Sequence, residues 1–362
     1  MVNKKENILF RLWKDPIAKS GLFIVGLACL VAILGYAISP DSTKNANAMH
    51  LPLAAKKPGF DIDILMIPFE AGDFDKRWSF FGTDPQFEEV PIVSFRVEND
   101  LLFYQPFIGD DMAAPEKSVA LKNLGLVPFK TDDFIKHKTF WLGTDRYGRD
   151  MLSRLILGTR ISLAVGLISV FISLLIGIPL GTLAGFYKGK VDATIMWVIN
   201  VIWSIPTLLM VIALTLVLGK GFWQVFVAVG LTMWVEVARI VRGQVLSIRE
   251  KEYIDAARVL GYSNFRIMWK HILPNALSPV IVISAANFAS AILIESGLSF
   301  LGIGAQPPTP SWGSMIRDHY SYIILGKPYL ALLPGLCIML LVLSFMTIGN
   351  KLRDVLDVRT DV

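Results

Sequence analysis

Six stretches of mostly apolar residues, at 21–39, 161–186, 192–218, 222–245, 276–303 and 329–349, dominate this chain. Each reaches or exceeds the roughly 20 residues that a helix needs to cross a bilayer. Hydrocarbon offers the backbone no hydrogen-bond partners, so segments of this kind must be helical. Composition agrees: of 362 residues 54% are hydrophobic and only 18% charged, where soluble domains carry about a quarter. The mean hydropathy is +0.54.

Lys4, Lys5, Arg11, Lys14 and Lys19 precede the first run. That run is long for the core of a signal peptide, and no small-residue cleavage site follows it, so it reads as an uncleaved span. Its basic flank places the N-terminus in the cytoplasm. Six crossings then put Lys188, Lys190, the segment from Arg239 to Lys270, and Lys351, Arg353 and Arg359 on that same side. The outer turn GKGF carries a single lysine. This distribution accounts for the net charge of +5 by membrane orientation rather than nucleic-acid binding. Cys29 and Cys337 fall inside apolar runs and read as membrane-embedded thiols with no disulfide, and four histidines leave little material for a metal site. Pro179 and Pro206 are expected to interrupt the second and third spans.

Between the fourth and fifth runs lies a charged segment, EYIDAARVLGYSNFRIMWKHILPNAL. Tyr253, Ala256, Ala257 and Leu260 recur at helical spacing, Gly261 supplies a stop, and Ser263 can cap a second helix carrying Phe265, Met268, Trp269 and Ile272. Pro274 is expected to end this unit. The pattern leaves two readings open: a pair of amphipathic helices resting on headgroups, or a helix that docks into a groove of a cytoplasmic partner. The small residues Ala256, Ala257 and Gly261 favour close docking.

DAARVLG followed nine residues later by HILP resembles the EAA loop of ABC-importer permeases, with Asp255 in place of the glutamate and His271 at an isoleucine position. The longer string REKEYIDAARVLGYSNFRIMWKHILPN is similar to the peptide/nickel branch of that family. So are WLGTDRYGRDMLSRLILGTRISL, ESGLSFLGIGAQPPTPSWGSM and the terminal GNKLRDVLDVR. The resemblance covers the first span and nearly all of the chain from Trp141 onward, and leaves out about 45–137. It implies an all-α polytopic membrane protein, six transmembrane helices of the ABC importer permease type with a β-containing extracytoplasmic insert between helices 1 and 2. It further implies half of a translocation pore for di- or oligopeptides. The partners would be a homologous second permease subunit, two ATP-binding subunits, an extracytoplasmic substrate-binding protein and the lipid bilayer, with no nucleic acid. Coupling to the ATPases would fall on Glu252, Asp255, Ala256, Ala257, Leu260, Gly261, His271, Leu273 and Pro274. ATP and Mg would be used by the partner subunits. No Walker A spacing occurs here, so the chain is read as no enzyme, with no catalytic residue, bound cofactor or metal. Nickel chelates or peptide antibiotics are alternative cargoes. A secondary transporter is the rival class, but it should show internal repeats and charges at mid-membrane.

On the outer side, WLGTDRYGRD reads as a solvated loop held by local ion pairs among Asp145, Arg146, Arg149 and Asp150, with Asp150 capping the helix that follows. Pro307, Pro308 and Pro310 forbid helix continuation, and Ser311 can cap the amphipathic stretch WGSMIRDHYSYII. Arg160, Glu295 and Trp312 are the outer-gate candidates. An ion pair between Arg160 and Glu295 would tie two helices near the gate, with separate headgroup contacts as the alternative. Glu236 and Arg239, one turn apart near the cytoplasmic end of the fourth span, are expected to snorkel and pair. Between the first two spans, DIDILMIPF, VPIVSFRV and DLLFYQPF read as strands of a small β-rich subdomain. FFGTD at 80–84 echoes WLGTD at 141–145, a match of the size chance produces.

The chain is thus expected to comprise a cytoplasmic N-terminus at 1–20, a first transmembrane helix at 21–39, and an extracytoplasmic insert and loop at 40–160. The transmembrane permease domain follows at 161–349, with the coupling segment at 246–275, and a cytoplasmic C-terminus closes the chain at 350–362. In a background without Cys29 and Cys337, Ser263→Cys should react with an impermeant thiol reagent only from the cytoplasm, and Ser94→Cys only from outside. Labelling of both from one side would break the six-span reading.

Overall fold

A computed structural model of the chain describes residues 12–69, 82–84, 87–109, 114–124, 134–219 and 221–356. Lys4, Lys5, Arg11, Arg359 and the Phe80–Phe81 part of the FFGTD echo lie outside them. The chain forms two compact units. One comprises Met1–Cys29, Ile161–Gln306 and Gly335–Val362, and the other Leu30–Arg160 and Pro307–Pro334.

The helices are α1 (Pro16–Ile38), α2 (Met151–Tyr187), α3 (Gly189–Trp203), α4 (Thr207–Leu218), α5 (Phe222–Arg249), α6 (Glu252–Val259), α7 (Leu273–Phe300), α8 (Trp312–His319) and α9 (Tyr329–Leu356). Among the described residues, α1, α2, α5, α7 with its lead-in from Asn264, and α9 are long and apolar enough to cross a membrane. The expected third span is instead a bent pair, α3 and α4, meeting at 90°; counted as one crossing it makes six. Pro206 causes the break. It has no N–H, and its ring drives residue 205 out of the helical region, so α4 restarts with Pro206 as its N-cap. Pro179, by contrast, does not interrupt α2, which runs unbroken for 37 residues from Met151 and absorbs the short helix expected before the second span.

In the first unit, packing centres on α5. Val237, Val241, Val245 and Ile248 join Phe186 in one cluster, Val225, Phe226 and Val229 join Val165 and Val211 in a second, and Trp234, Val235 and Ala238 pack on Ile199 in a third. Gly177, Gly181 and Gly185 of α2 form a ladder against this helix. A Cβ at Gly181 would lie 2.4 Å from the Ala238 carbonyl oxygen, and one at Gly177 or Gly185 2.7 or 2.8 Å from α5 atoms. The ladder lets two backbones touch, as small residues do wherever apolar burial gives helices no reason to prefer each other over lipid. Charge fixes the C-terminal half of α5. Arg242 grips Asp192 through two hydrogen bonds of 2.5 and 2.7 Å, and Arg249 donates to the Phe186 carbonyl.

The second unit holds a five-stranded antiparallel sheet of order β4-β3-β2-β1-β5. Its strands are β1 (Phe60–Pro68), β2 (Phe87–Glu98), β3 (Leu101–Pro106), β4 (Lys117–Ala120) and β5 (Ile135–Phe140). Alternation puts Leu65, Ile92, Leu102 and Tyr104 in one core, and Ile62, Ile64, Met66 and Phe140 with Leu53 in another. The β2–β3 hairpin turns on Asn99 and Asp100, both at positive φ, the geometry that matches the strand twist in a two-residue turn. Lys136 and Lys138 charge the edge strand β5 and discourage pairing with other chains. Glu89 of β2 is mostly enclosed and bonds His50 Nε2 at 3.0 Å and Lys138 Nζ at 3.1 Å. Burial pushes its carboxyl up, but the His50 hydrogen bond and the Lys138 charge prevail and hold it at about 2.

Two outcomes follow. Gly181→Ala should cost roughly 1–3 kcal/mol by overpacking, while Gly26→Ala, whose Cβ would meet nothing within 4 Å, should be neutral or mildly stabilising. Membrane abundance and thermal aggregation in detergent check this. Glu89 has a folded value below its ordinary 4.5. Its contribution, roughly 3 kcal/mol, is therefore fully present above pH 4.5 and is lost as pH falls through about 2. Glu89→Gln should remove most of this acid-dependent loss, read as the change in melting temperature of the sheet between pH 6 and pH 3.

Candidate functional site

The charged segment after α5 is built from a helix, a turn and a π-helical run. Glu252 and Asp255 occupy the first turn of α6, and Asp255 accepts from Arg258 at 2.8 Å. The helix then closes in a Schellman motif: Gly261 N–H bonds the Arg258 carbonyl at 2.9 Å, and Tyr262 N–H bonds that of Ala257 at 3.1 Å. Gly261 has φ +77°, which glycine adopts without strain. Ser263 accepts from Arg266 N–H and starts the next turn, Asn264–Arg266. That turn does not end at Pro274. It passes through a π-helical stretch, Ile267–Ile272, into α7, and Pro274 falls in the first turn of α7, where a missing N–H costs little. The ring of His271 stacks on the Tyr262 ring at 5.6 Å, and the Arg266 guanidinium lies over the Tyr262 ring at 4.2 Å. His271 thus clasps the turn to the π-helical stretch.

The segment has two faces. Ile254, Ala257, Ile267, Met268 and Ile272 are buried with Val241, Val245 and Ile248 of α5, and Leu273 is buried beside them. Ala257, expected to meet a partner, therefore packs into the chain's own core. The other face carries Tyr253, Val259, Leu260, Phe265 and Trp269, with Val259 88% and Leu260 70% exposed. Glu252, Asp255, Ala256, Gly261 and Pro274 are exposed as well, and His271 is half-buried. Sequence spacing finds Phe265 and Trp269 but groups them with Met268 and Ile272, which are buried, and it misses Val259, because the Schellman turn, which sets the angle between the two arms, is not a periodic signal.

In the second unit the WLGTDRYGRD loop is a buried knot rather than a solvated loop. Asp145, Arg149, Asp150 and Arg154 are each at most 4% exposed. Asp145 Oδ2 accepts from Arg149 Nε at 2.6 Å and lies 3.6 Å from Arg154 Nε, while Oδ1 accepts the Tyr147 and Arg149 N–H groups. Arg149 also donates to Asn47, and Arg154 to the carbonyls of Asn45 and Ala46. Asp150 caps α2 as expected, accepting from Ser153 N–H at 2.7 Å. A Cβ at Gly148 would lie 1.8 Å from the His50 carbonyl oxygen, so only glycine fits there. Ser311 caps α8 through a capping box, also as expected. Buried His319, at its end, accepts the Arg146 N–H at Nε2 and faces the Met315 carbonyl at Nδ1; burial lowers its pKa. The two bonds fix a neutral ring with its proton on Nδ1.

Of the gate candidates, Trp312 is buried, packs its Cδ1–Nε1 edge against Gly158 and donates to the Leu155 carbonyl at 3.0 Å. Arg160 places its guanidinium over Tyr36 in the second unit, and Glu295, buried in the first, accepts from Ser299 at 2.6 Å. Arg239 lies 3.7 Å from the centroid of the Trp203 ring, and no ion pair joins it to Glu236. The expected pairing is absent because Trp203, at the end of α3, takes the guanidinium.

Residues 177–362 match the family described as binding-protein-dependent transport system inner membrane component, and this chain belongs to that family. Among curated proteins it is 39% identical over 240 residues to the glutathione transport system permease protein GsiD of Pectobacterium atrosepticum, covering 64% of this chain and 79% of that one. It is 42% identical over 217 residues to the dipeptide transport system permease protein DppC of Alkalihalophilus pseudofirmus, covering 60% and 71%. It is 39% identical over 220 residues to the oligopeptide transport system permease protein OppC of Bacillus subtilis, covering 61% and 72%.

Proposed function

We propose that this chain is one of two permease subunits of an ATP-driven importer of short peptides. It would cross the membrane six times, with both termini and α6 in the cytoplasm and the five-stranded sheet outside. Two ATP-binding subunits, which carry the ATP and Mg, would sit below, and a substrate-binding protein would deliver cargo from the other side. The chain itself would neither hydrolyse ATP nor hold a cofactor. The cargo class is supported by the printed names of the relatives, which span glutathione, dipeptides and oligopeptides.

One observation carries the coupling role. The α6 segment buries one face in the core of its own bundle and turns five large apolar side chains outward at the other. A helix rooted in that way transmits force applied at its open face to α5 and α7, which a helix floating on headgroups cannot do. Exposed apolar clusters of this kind mark interaction surfaces.

The decisive residues are therefore Val259 and Leu260. Gly261→Leu is a poor probe, since the positive φ would strain the turn itself. Leu260→Asp leaves the buried face intact and should weaken docking by about 2 kcal/mol, roughly thirtyfold in affinity. Complexes with their ATPase subunits should then lose ATP-driven peptide uptake, and the ATPase should no longer respond to substrate. Arg258→Ala should stay near wild type. Normal uptake by Leu260→Asp at normal membrane abundance would remove the open face from the coupling role.

A further inference from the structure

α5 is the most enclosed of the helices able to cross a membrane. From its midpoint to its C-terminal end it leaves one stripe open: Glu236, Gly243 and Ser247 are exposed, with Arg239 and Ile240 half-buried beside them. Those positions recur at helical spacing and share a face. Other exposed stripes on the long apolar helices have another chemistry. α1 turns Phe23, Leu27, Leu30 and Ile33 outward, and α9 turns Leu332, Leu336, Met339 and Leu343 outward.

Glu236 stands at the middle of a 28-residue helix. About 20 Å of helix separates it from either end. Arg239, the nearest cation along the helix, is held on Trp203, and among the described residues Glu236 makes no ion pair or hydrogen bond. Ionisable groups within membrane-crossing helices face a water-filled cavity or a partner charge.

We propose that Glu236 lines the translocation passage and favours cationic cargo, attracting a lysine or arginine side chain of the peptide. The inference rests on the importer reading above. An unpaired carboxylate beside a half-buried, stacked arginine attracts a mobile cation without first breaking an internal ion pair. Gly243, whose missing Cβ would meet nothing within 4 Å, keeps the stripe open below it. Ser247 continues the polar wall.

The test uses the assembled complex in vesicles, with Cys29 and Cys337 replaced by serine. Ser247→Cys is probed with positively and negatively charged methanethiosulfonates of similar size, each rate taken relative to a free thiol. The cationic reagent should react about tenfold faster, and Glu236→Gln should bring that ratio close to one while Glu236→Asp preserves it. In uptake, Glu236→Gln should lose several-fold on a lysine-containing tripeptide relative to trialanine. No labelling of Ser247→Cys in the assembled complex would mean that the stripe is sealed against the second subunit, and would overturn the proposal. An unchanged ratio in Glu236→Gln, or equal loss of both peptides, would overturn it too. Labelling needs no import, so it judges Glu236 even if the wild-type complex shows no ATP-dependent uptake, the outcome that would sink the importer reading itself.

Discussion

The contact between the glycine ladder of α2 and the backbone of α5 sets the geometry of the helical unit. Helices in hydrocarbon gain little from burying leucine against leucine, since lipid tails are equally apolar. What holds them in register is close fit, and Gly177, Gly181 and Gly185 provide it by bringing α2 within van der Waals reach of α5 carbonyls and valines. α5 is thereby fixed along one side, and α3, α4 and α7 pack around the rest of it. The basic residues near its end serve two ends at once. Positive charge of this kind orients helices in a membrane, and the guanidiniums of Arg242 and Arg249 also lock α5 to Asp192 and to the Phe186 carbonyl.

From that fixed helix the position of α6 follows. Val241, Val245 and Ile248 present an apolar end, and Ile254 and Ala257 sit on it together with the π-helical run. The Schellman turn at Gly261 then folds the chain back, so that both arms share one core and one open face. A π-helical stretch widens the helix by one residue per turn, and here it lets Pro274 enter α7 without breaking the rod. The segment is therefore a rooted projection with apolar side chains on its tip. Its rigidity comes from the burial of Ile254, Ile267 and Ile272, while the residues free to meet a partner are others.

Much of this was legible in the sequence, and the parts that were not have physical reasons. Length and hydropathy place the spans, since a bilayer demands about 20 apolar residues from any helix that crosses it. Alternation marks three of the five strands; β4 is four residues long, and β5 reads as a charged run because it is an edge. The caps at Asp150 and Ser311 are local and were readable. The bend at Pro206 and the continuity at Pro179 were not separable, because both are prolines in apolar runs and only the neighbours decide whether the helix survives. Ala257 misled for a similar reason: a small residue suits a partner's groove and the protein's own core equally well.

The hardest distinction lies between a charge that is paired out of sight and one that is not, since a one-dimensional pattern contains no burial. Asp145, Arg149 and Arg154 look like any hydrophilic loop, yet they form an enclosed network with one carboxylate between two guanidiniums. Removing one member of such a knot strands the others, so its cost of disruption is high even though its net contribution to stability is small. Glu236 and Arg239 look like a ready i, i+3 pair, yet an aromatic ring has claimed the arginine. The first case turns apparent surface into structure, and the second turns an apparent structural pair into an unpaired carboxylate midway along α5. A carboxylate with no partner in its own chain is one that a passage carrying cationic side chains would stabilise, since such a passage supplies both water and counter-charge.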